Sequence, residues 1–261
     1  ESAIVGAALG LSLKNKKAIM EMQFADFVTV GFNQIINNLA KLHYRWGQNA
    51  DVVIRMPTGA GVGAGPFHSQ SNEAWFTHTP GLKVVYPSNP EDAKGLMLAA
   101  IEDPNPVMIF EHKALYRSLT GMVSENYFTI PIGKAKLVKE GNQLSIITYG
   151  MGVHWAQKVI NEKNISADIL DLRTLLPLDK DSIFKSVRKN NRVLIVHEDC
   201  LTGGIGGEIS SLINENCFED LDAPVIRCAS LDTPVPFAKE LEEQFLANKN
   251  LSEKIDYLIN Y

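Results

Sequence analysis

M-P-T-G-A-G-V-G-A-G-P-F-H-S-Q-S-N-E-A-W-F, residues Met56 to Phe76, decides how this chain is read. Four glycines at alternate positions, Gly59, Gly61, Gly63 and Gly65, end an apolar run and lead to His68. Glycine at every second position suits a backbone that turns through positive φ or lets another group approach closely. A histidine at the mouth of such a loop can move protons. Ser69 has N-cap chemistry, and the apolar periodicity behind it predicts a helix over Ser69–His78.

The alternation of short apolar runs with helical-period segments extends in both directions, as in α/β proteins with mostly parallel sheets. In the first half it predicts strands at Ala18–Gln23, Val52–Met56, Val84–Tyr86 and Val107–Glu111. Helices are expected near Ala3–Leu13, Phe27–Tyr44, Ser69–His78 and Pro90–Glu102, with Pro90 in a first turn where it needs no N–H. The pattern weakens over residues 116–132, which reads as a linker between a unit at 1–115 and a second at 133–261. There, strands are expected at Gly133–Lys139, Ser145–Tyr149, Asp168–Asp171, Val193–His197 and Val225–Cys228. Helices follow at Val153–Lys163, Lys180–Arg188, Gly207–Asn216, Lys239–Leu246 and Ser252–Ile259.

Composition narrows the function classes. The chain has 261 residues, 45% hydrophobic and 21% charged, as an ordinary globular protein does. Its 25 basic and 30 acidic residues give a net charge of −5, which argues against nucleic acid as a partner. No apolar run approaches the length of a membrane span. Three cysteines, Cys200, Cys217 and Cys228, lack C-x-x-C spacing, so a reducing cytoplasm is expected. The opening E-S-A-I-V-G-A-A-L-G has no initiator Met and already has a helical pattern, and reads as a piece of a longer polypeptide.

Common nucleotide and hydrolase motifs fail. Counted from Gly59 or Gly61, the sixth position of G-x-G-x-x-G is Ala64 or Pro66. Gly204 in the second cluster, Gly203–Gly207, leads to Ile209. There is no G-K-[ST], no second histidine to complete a zincin at His197-Glu198, and no G-x-S-x-G.

Several blocks together resemble the beta subunits of thiamin-diphosphate-dependent 2-oxo acid dehydrogenases, a family with pyruvate, branched-chain and acetoin members. These are E-S-A-I-V-G-A-A-L-G, M-Q-F-A-D-F-V (Met22–Val28), H-S-Q-S-N-E-A-W-F (His68–Phe76) and P-G-L-K-V-V-Y-P (Pro80–Pro87). A-A-I-E-D-P-N-P-V (Ala99–Val107), E-H-K-A-L-Y (Glu111–Tyr116) and L-D-L-R-T-L-L-P-L-D (Leu170–Asp179) continue the match. V-H-E-D (Val196–Asp199), G-G-I-G-G-E-I (Gly203–Ile209) and A-S-L-D-T-P-V-P (Ala229–Pro236) complete it, in order along nearly the whole chain. The resemblance implies a pyrimidine-binding α/β domain, incomplete at its start, followed by a transketolase C-terminal-like α/β domain.

It also assigns roles. Glu1 corresponds to the glutamate set against the cofactor's aminopyrimidine, and Phe27 to an aromatic that packs on that ring, with Gln23 a weaker wall residue. His68 corresponds to the histidine facing substrate and the incoming lipoyl group. By spacing alone, Phe27 reads as a core residue opening a helix and Glu1 as a loose terminal one. Carbonyls of Ala100, Ile101, Asp103 and Asn105 match a loop that binds structural potassium in some members, although D-P-N-P is also good turn chemistry. Glu198 and Asp199 read as domain-packing residues.

The resemblance further implies that an alpha-type domain or subunit holds Mg²⁺ and the diphosphate through a Gly-Asp-Gly motif absent here. A lipoyl acyltransferase is the implied acceptor. Two beta-type domains pair in a heterotetramer-like assembly. Rival readings are a transketolase or deoxyxylulose-phosphate synthase-like transferase, and a non-catalytic assembly module. The transferases need basic residues for sugar phosphate, and none lies between Thr58 and Thr79.

Overall fold

The computed structural model describes residues 1–261 as two five-stranded sheets with helices around them. The first half comprises α1 (Ser2–Ser12), β1 (Ala18–Glu21), α2 (Ala40–Trp46), β2 (Val52–Thr58), α3 (Ala74–Thr77), β3 (Lys83–Val85), α4 (Pro90–Glu102), β4 (Val107–His112) and α5 (Leu115–Ser118). Next come β5 (Lys136–Lys139), β6 (Leu144–Thr148), α6 (Met151–Glu162), β7 (Ala167–Asp171), β8 (Thr174–Leu176) and α7 (Lys180–Asn190). The chain ends with β9 (Val193–Cys200), α8 (Ile205–Cys217), β10 (Ile226–Ser230), α9 (Lys239–Phe245) and α10 (Asn248–Ile259).

Strand order is β1-β2-β4-β3-β8 in one sheet and β10-β9-β6-β7-β5 in the other. Pairing is parallel except where β8 meets β3 and β5 meets β7. Strands β2, β4, β6 and β7 are almost wholly buried, which matches their continuous apolar runs. One core cluster spans both halves, joining Met22, Phe76 and Phe110 to Ile147, Leu170 and Ile209. Each large apolar side chain buried there stabilises the fold by about 1.5–3 kcal/mol. A second cluster sits under α6 and α10, around Val153, Ile160, Leu251 and Ile255. No helix is long and apolar enough to cross a membrane.

Three expectations need correction. The helix predicted over Phe27–Tyr44 is a 3-10 segment (Ala25–Gly31), a π-helical turn (Gln34–Leu39) and only then α2. The break falls where α1 packs closely: a Cβ on Gly31 would lie 3.1 Å from Val5 and 3.5 Å from the Glu1 carbonyl oxygen. The helix predicted over Ser69–His78 shrinks to α3, Ala74–Thr77. Residues 70–72 use their polar groups in tertiary bonds instead: the Gln70 N–H donates to Asp26 Oδ1, Thr58 Oγ1 donates to the Gln70 carbonyl, and Asn72 Nδ2 donates to the Ala25 carbonyl. Ser69 therefore caps nothing, and its hydroxyl is buried without a partner. Finally, β8 was not expected, and it carries chain from the second half onto the edge of the first sheet.

Candidate active site

Beyond β2 the four glycines all take positive φ: 98° at Gly59, 80° at Gly61, 69° at Gly63 and 68° at Gly65. Alternating signs of φ turn successive N–H groups to one side and make a concavity suited to an anion. Two carboxylates from the far half of the chain fill that role. Glu198 Oε1 accepts from Ala60 N at 2.6 Å, and Glu242 accepts from Gly61 N at 2.9 Å and from Gly63 N at 3.2 Å. Glu242 lies on α9 and is buried. At Gly59 the requirement is also steric, since a Cβ there would stand 2.3 Å from His112 Nε2.

His68, at the end of this loop, meets two rings edge-on. Its centroid is 4.8 Å from Phe24 and 5.6 Å from Phe27, and the two phenylalanines are 5.7 Å apart. All three side chains are partly exposed. Between the phenylalanines, buried Asp26 accepts two bonds from Gln70, at 3.2 Å from N and 2.9 Å from Nε2, while its Oδ2 has no partner. Lys113 Nζ donates to the carbonyls of Gly59 (2.9 Å) and His68 (2.7 Å) and lies 5.5 Å from the Phe24 ring. Burial depresses this ammonium's pKa, while the charges of Asp26, Glu198 and Glu242 oppose the shift.

The structure thus brings His68 and Phe27 together. Glu1 precedes α1, exposed and with no side-chain capping bond, and its carbonyl accepts from Val5 N at 3.0 Å. Its main chain lies against Gly31, at the end of the 3-10 segment that carries Phe27. Gln23 is exposed. Ala100, Ile101, Asp103 and Asn105 lie apart, where α4 turns into β4. There Asp103 Oδ1 accepts from both nitrogens of Asn105, and its carbonyl accepts from Lys17 Nζ at 3.3 Å. Lys83 pairs with the Asp103 carboxylate.

Sequence reasoning missed Phe24, Asp26, Gln70, Lys113 and Glu242. All but Glu242 fall inside the quoted blocks, so only their geometry was hidden. Glu242 sits in an ordinary charged helix and carries no local signal.

Behind the loop lies a buried acidic cluster. Glu198 Oε2 is 2.7 Å from His112 Nε2; burial raises the carboxyl's pKa, but His112 and the Ala60 N–H outweigh it and hold the pKa low. Glu73 accepts from Tyr149 OH at 2.6 Å, and burial together with Asp199 pushes its pKa up to about 8. Burial likewise pushes Asp199 up to about 7. Glu198 and Asp199 line a cavity of about 310 Å³ with Ser69, Ser71 and Thr202. These groups join the two sheets and leave the His68 side of the loop to the aromatic rings.

Residues 1–118 match the pyrimidine-binding domain of transketolase, and residues 133–250 match its C-terminal domain. The 2-oxoisovalerate dehydrogenase subunit beta of Bacillus subtilis (strain 168) is 44% identical over 259 residues, covering 97% of this chain and 79% of the relative. From the same organism, the acetoin:2,6-dichlorophenolindophenol oxidoreductase subunit beta is 44% identical over 251 residues, covering 94% and 73%. The Arabidopsis thaliana 2-oxoisovalerate dehydrogenase subunit beta 2, mitochondrial, is 42% identical over 268 residues, covering 100% and 74%. A solved split-gene transketolase, an inactive beta4 tetramer, superposes with a TM-score of 0.79 at 22% identity, covering 99% of this chain and 81% of that one, which speaks to the fold alone. With this fold and these relatives, the chain belongs to the beta subunits of the thiamin-diphosphate-dependent 2-oxo acid dehydrogenases.

Proposed function

We propose that this chain supplies the aminopyrimidine side of a thiamin-diphosphate site, in an enzyme that oxidatively decarboxylates a 2-oxo acid. The observation that carries the reading is the edge contact of His68 with Phe24 and Phe27 at the end of a tied-down loop. These residues fit a flat, polar-edged heterocycle. Phe27 offers a partly exposed ring, and well-placed ring contacts are worth about 0.5–1.5 kcal/mol beyond burial. Asp26 Oδ2 beside it is a buried acceptor without a donor.

When bound, the cofactor supplies a nucleophilic carbon and an electron sink for loss of carbon dioxide. Glu1 would hold a proton at a ring nitrogen of the aminopyrimidine. Phe24 and Phe27 keep water from that ring and hold the imidazole in place. His68 donates a proton to an oxygen of the substrate, or stabilises charge developing there, during decarboxylation and transfer to a lipoyl acceptor. Gln23 stands at the margin as a wall residue. Relatives named for 2-oxoisovalerate, at 44% and 42% identity, support a 2-oxo acid as the substrate class, and the relative named for acetoin, a hydroxyketone, leaves the individual substrate open to assay.

The diphosphate and Mg²⁺ fall to an alpha-type partner, since this chain has no Gly-Asp-Gly motif. Exposed Val30, Tyr44, Trp46, Phe67 and Phe237 support contacts with further chains, the alpha-type partner and a second beta chain. A lipoyl acyltransferase receives the acyl group. The three free cysteines support a reducing, cytoplasmic setting. Of the residues expected to bind potassium, Asp103 already meets two cations: Lys17 donates to its carbonyl and Lys83 pairs with its carboxylate.

Kinetics of the enzyme assembled with its alpha-type partner test this reading. His68→Ala and Glu1→Gln should each lower kcat by about 10²–10⁴-fold. Full activity in His68→Ala would overturn it. Steady decarboxylation by this chain alone would overturn the shared site.

A further inference from the structure

The loop from Gly59 to His68 is long and rich in glycine, so left to itself it would sample many conformations. Its N–H groups at positions 60, 61 and 63 are held by Glu198 and Glu242. Those bonds fix the near half of the loop and leave the histidine end to other contacts. Only one side chain bonds both ends: the Lys113 ammonium, 2.9 Å from the Gly59 carbonyl and 2.7 Å from that of His68. No lysine or arginine lies between Thr58 and Thr79 to take its place.

The location of Lys113 follows from the sheet. His112, the last residue of β4, is in register with Thr58, the last of β2, and Lys113 N donates to the Thr58 carbonyl at 2.9 Å. The side chain is thereby delivered beneath the loop that leaves β2. Its hydrogen-bond partners are carbonyls, so no carboxylate is bonded to it to offset its desolvation. Such an arrangement costs free energy unless the two carbonyls gain strong charge-assisted bonds. Asp26, Glu198 and Glu242 surround it at longer range.

We propose that Lys113 is a positioning residue for His68: it fixes the main chain from which the imidazole projects and so sets where that ring meets the substrate. The proposal rests on the reading of His68 given above. Methionine at 113 keeps the length of the side chain and removes its donors. Arginine keeps both charge and donors.

The test uses the assembled enzyme, in two measurements. Hydrogen exchange at residues 59–68 reads the clamp without reference to catalysis, and Lys113→Met should exchange there at least about tenfold faster than the parent. Unchanged exchange would overturn the proposal. Kinetics read the consequence: Lys113→Met should lower kcat about 100-fold with little change in KM, because a small misplacement of a catalytic group costs that much. Lys113→Arg should recover most of the loss. On a His68→Ala background the same substitution should cost less than about threefold, as residues acting as one unit are not additive.

An undiminished kcat in Lys113→Met, or an equal loss with and without His68, would overturn the positioning role. A His68→Ala enzyme with full activity would sink the reading of the site, while the exchange result would still judge the clamp. Should Lys113→Met not assemble, Lys113→Leu, which also lacks donors, carries the same comparisons.

Discussion

Gly59–Gly65 follows β2 and Gly203–Gly207 follows β9, so the two glycine clusters leave interior strands of their respective sheets. In the first, every glycine has positive φ, and the N–H groups it turns inward hold carboxylates. In the second, only Gly203 has positive φ. Gly204 and Gly206 are there for space: a Cβ on either would lie 2.5 or 2.6 Å from the His197 ring. His197 is wholly buried, parallel to Tyr149 at 6.4 Å, with both ring nitrogens unpartnered. One cluster shapes backbone for a site, whereas the other makes room for a packed ring. Composition could not separate the two.

Substitutions by alanine should separate them. Gly59→Ala combines a disfavoured φ with a clash against His112, which Glu198 holds in place. A loss of more than about 3 kcal/mol is expected, read as a large drop in melting temperature. A neutral result would show that the loop bends without cost. Gly206→Ala meets only a ring that makes no hydrogen bond, so about 1–3 kcal/mol should be lost, and His197→Ser should restore part of it. Failure of that rescue would mean that His197 does not set the requirement at Gly206.

The smallest effect concerns pH. Burial lowers the pKa of His197 from 6.5 to about 4. Between those values the unfolded chain binds a proton that the folded one refuses, so stability falls as pH falls. From pH 7 to pH 5.5 the difference is about 1 kcal/mol. Melting curves of His197→Gln should lack that share of the acid loss, and an unchanged slope would argue against it.

The fold was legible where periodicity is set by burial on both faces, as in β2, β4, β6 and β7. It was not legible at Ser69, where N-cap chemistry was present but the Gln70 backbone bonds Asp26 and Thr58 and the Asn72 side chain bonds the Ala25 carbonyl. Nor did local pattern reveal that Gly31 would interrupt a helix, because the cause is the approach of α1. For the site, His68 was marked by its glycine-rich approach and Phe27 by a resemblance, and the two rings meet. Lys113 escaped notice because the absence of basic residues was judged along the sequence around His68. The strand register supplies one from another element.

One consequence of β8 concerns what happens when the chain is divided. The first sheet ends at β3 only if the segment Thr174–Leu176 is missing; with it, Val84 and Val85 are paired, and Tyr86 N donates to the Arg173 carbonyl at 2.8 Å. A polypeptide cut between β4 and β5 would expose β3 as a bare, apolar strand edge, the kind of surface that recruits other chains into aggregates. During synthesis the first sheet likewise waits for residues made some ninety positions after β3 before that edge is closed. The two halves are separate in sequence pattern, but the dependence runs one way: the second half closes its own sheet, whereas the first cannot be cut away without leaving its sheet unfinished.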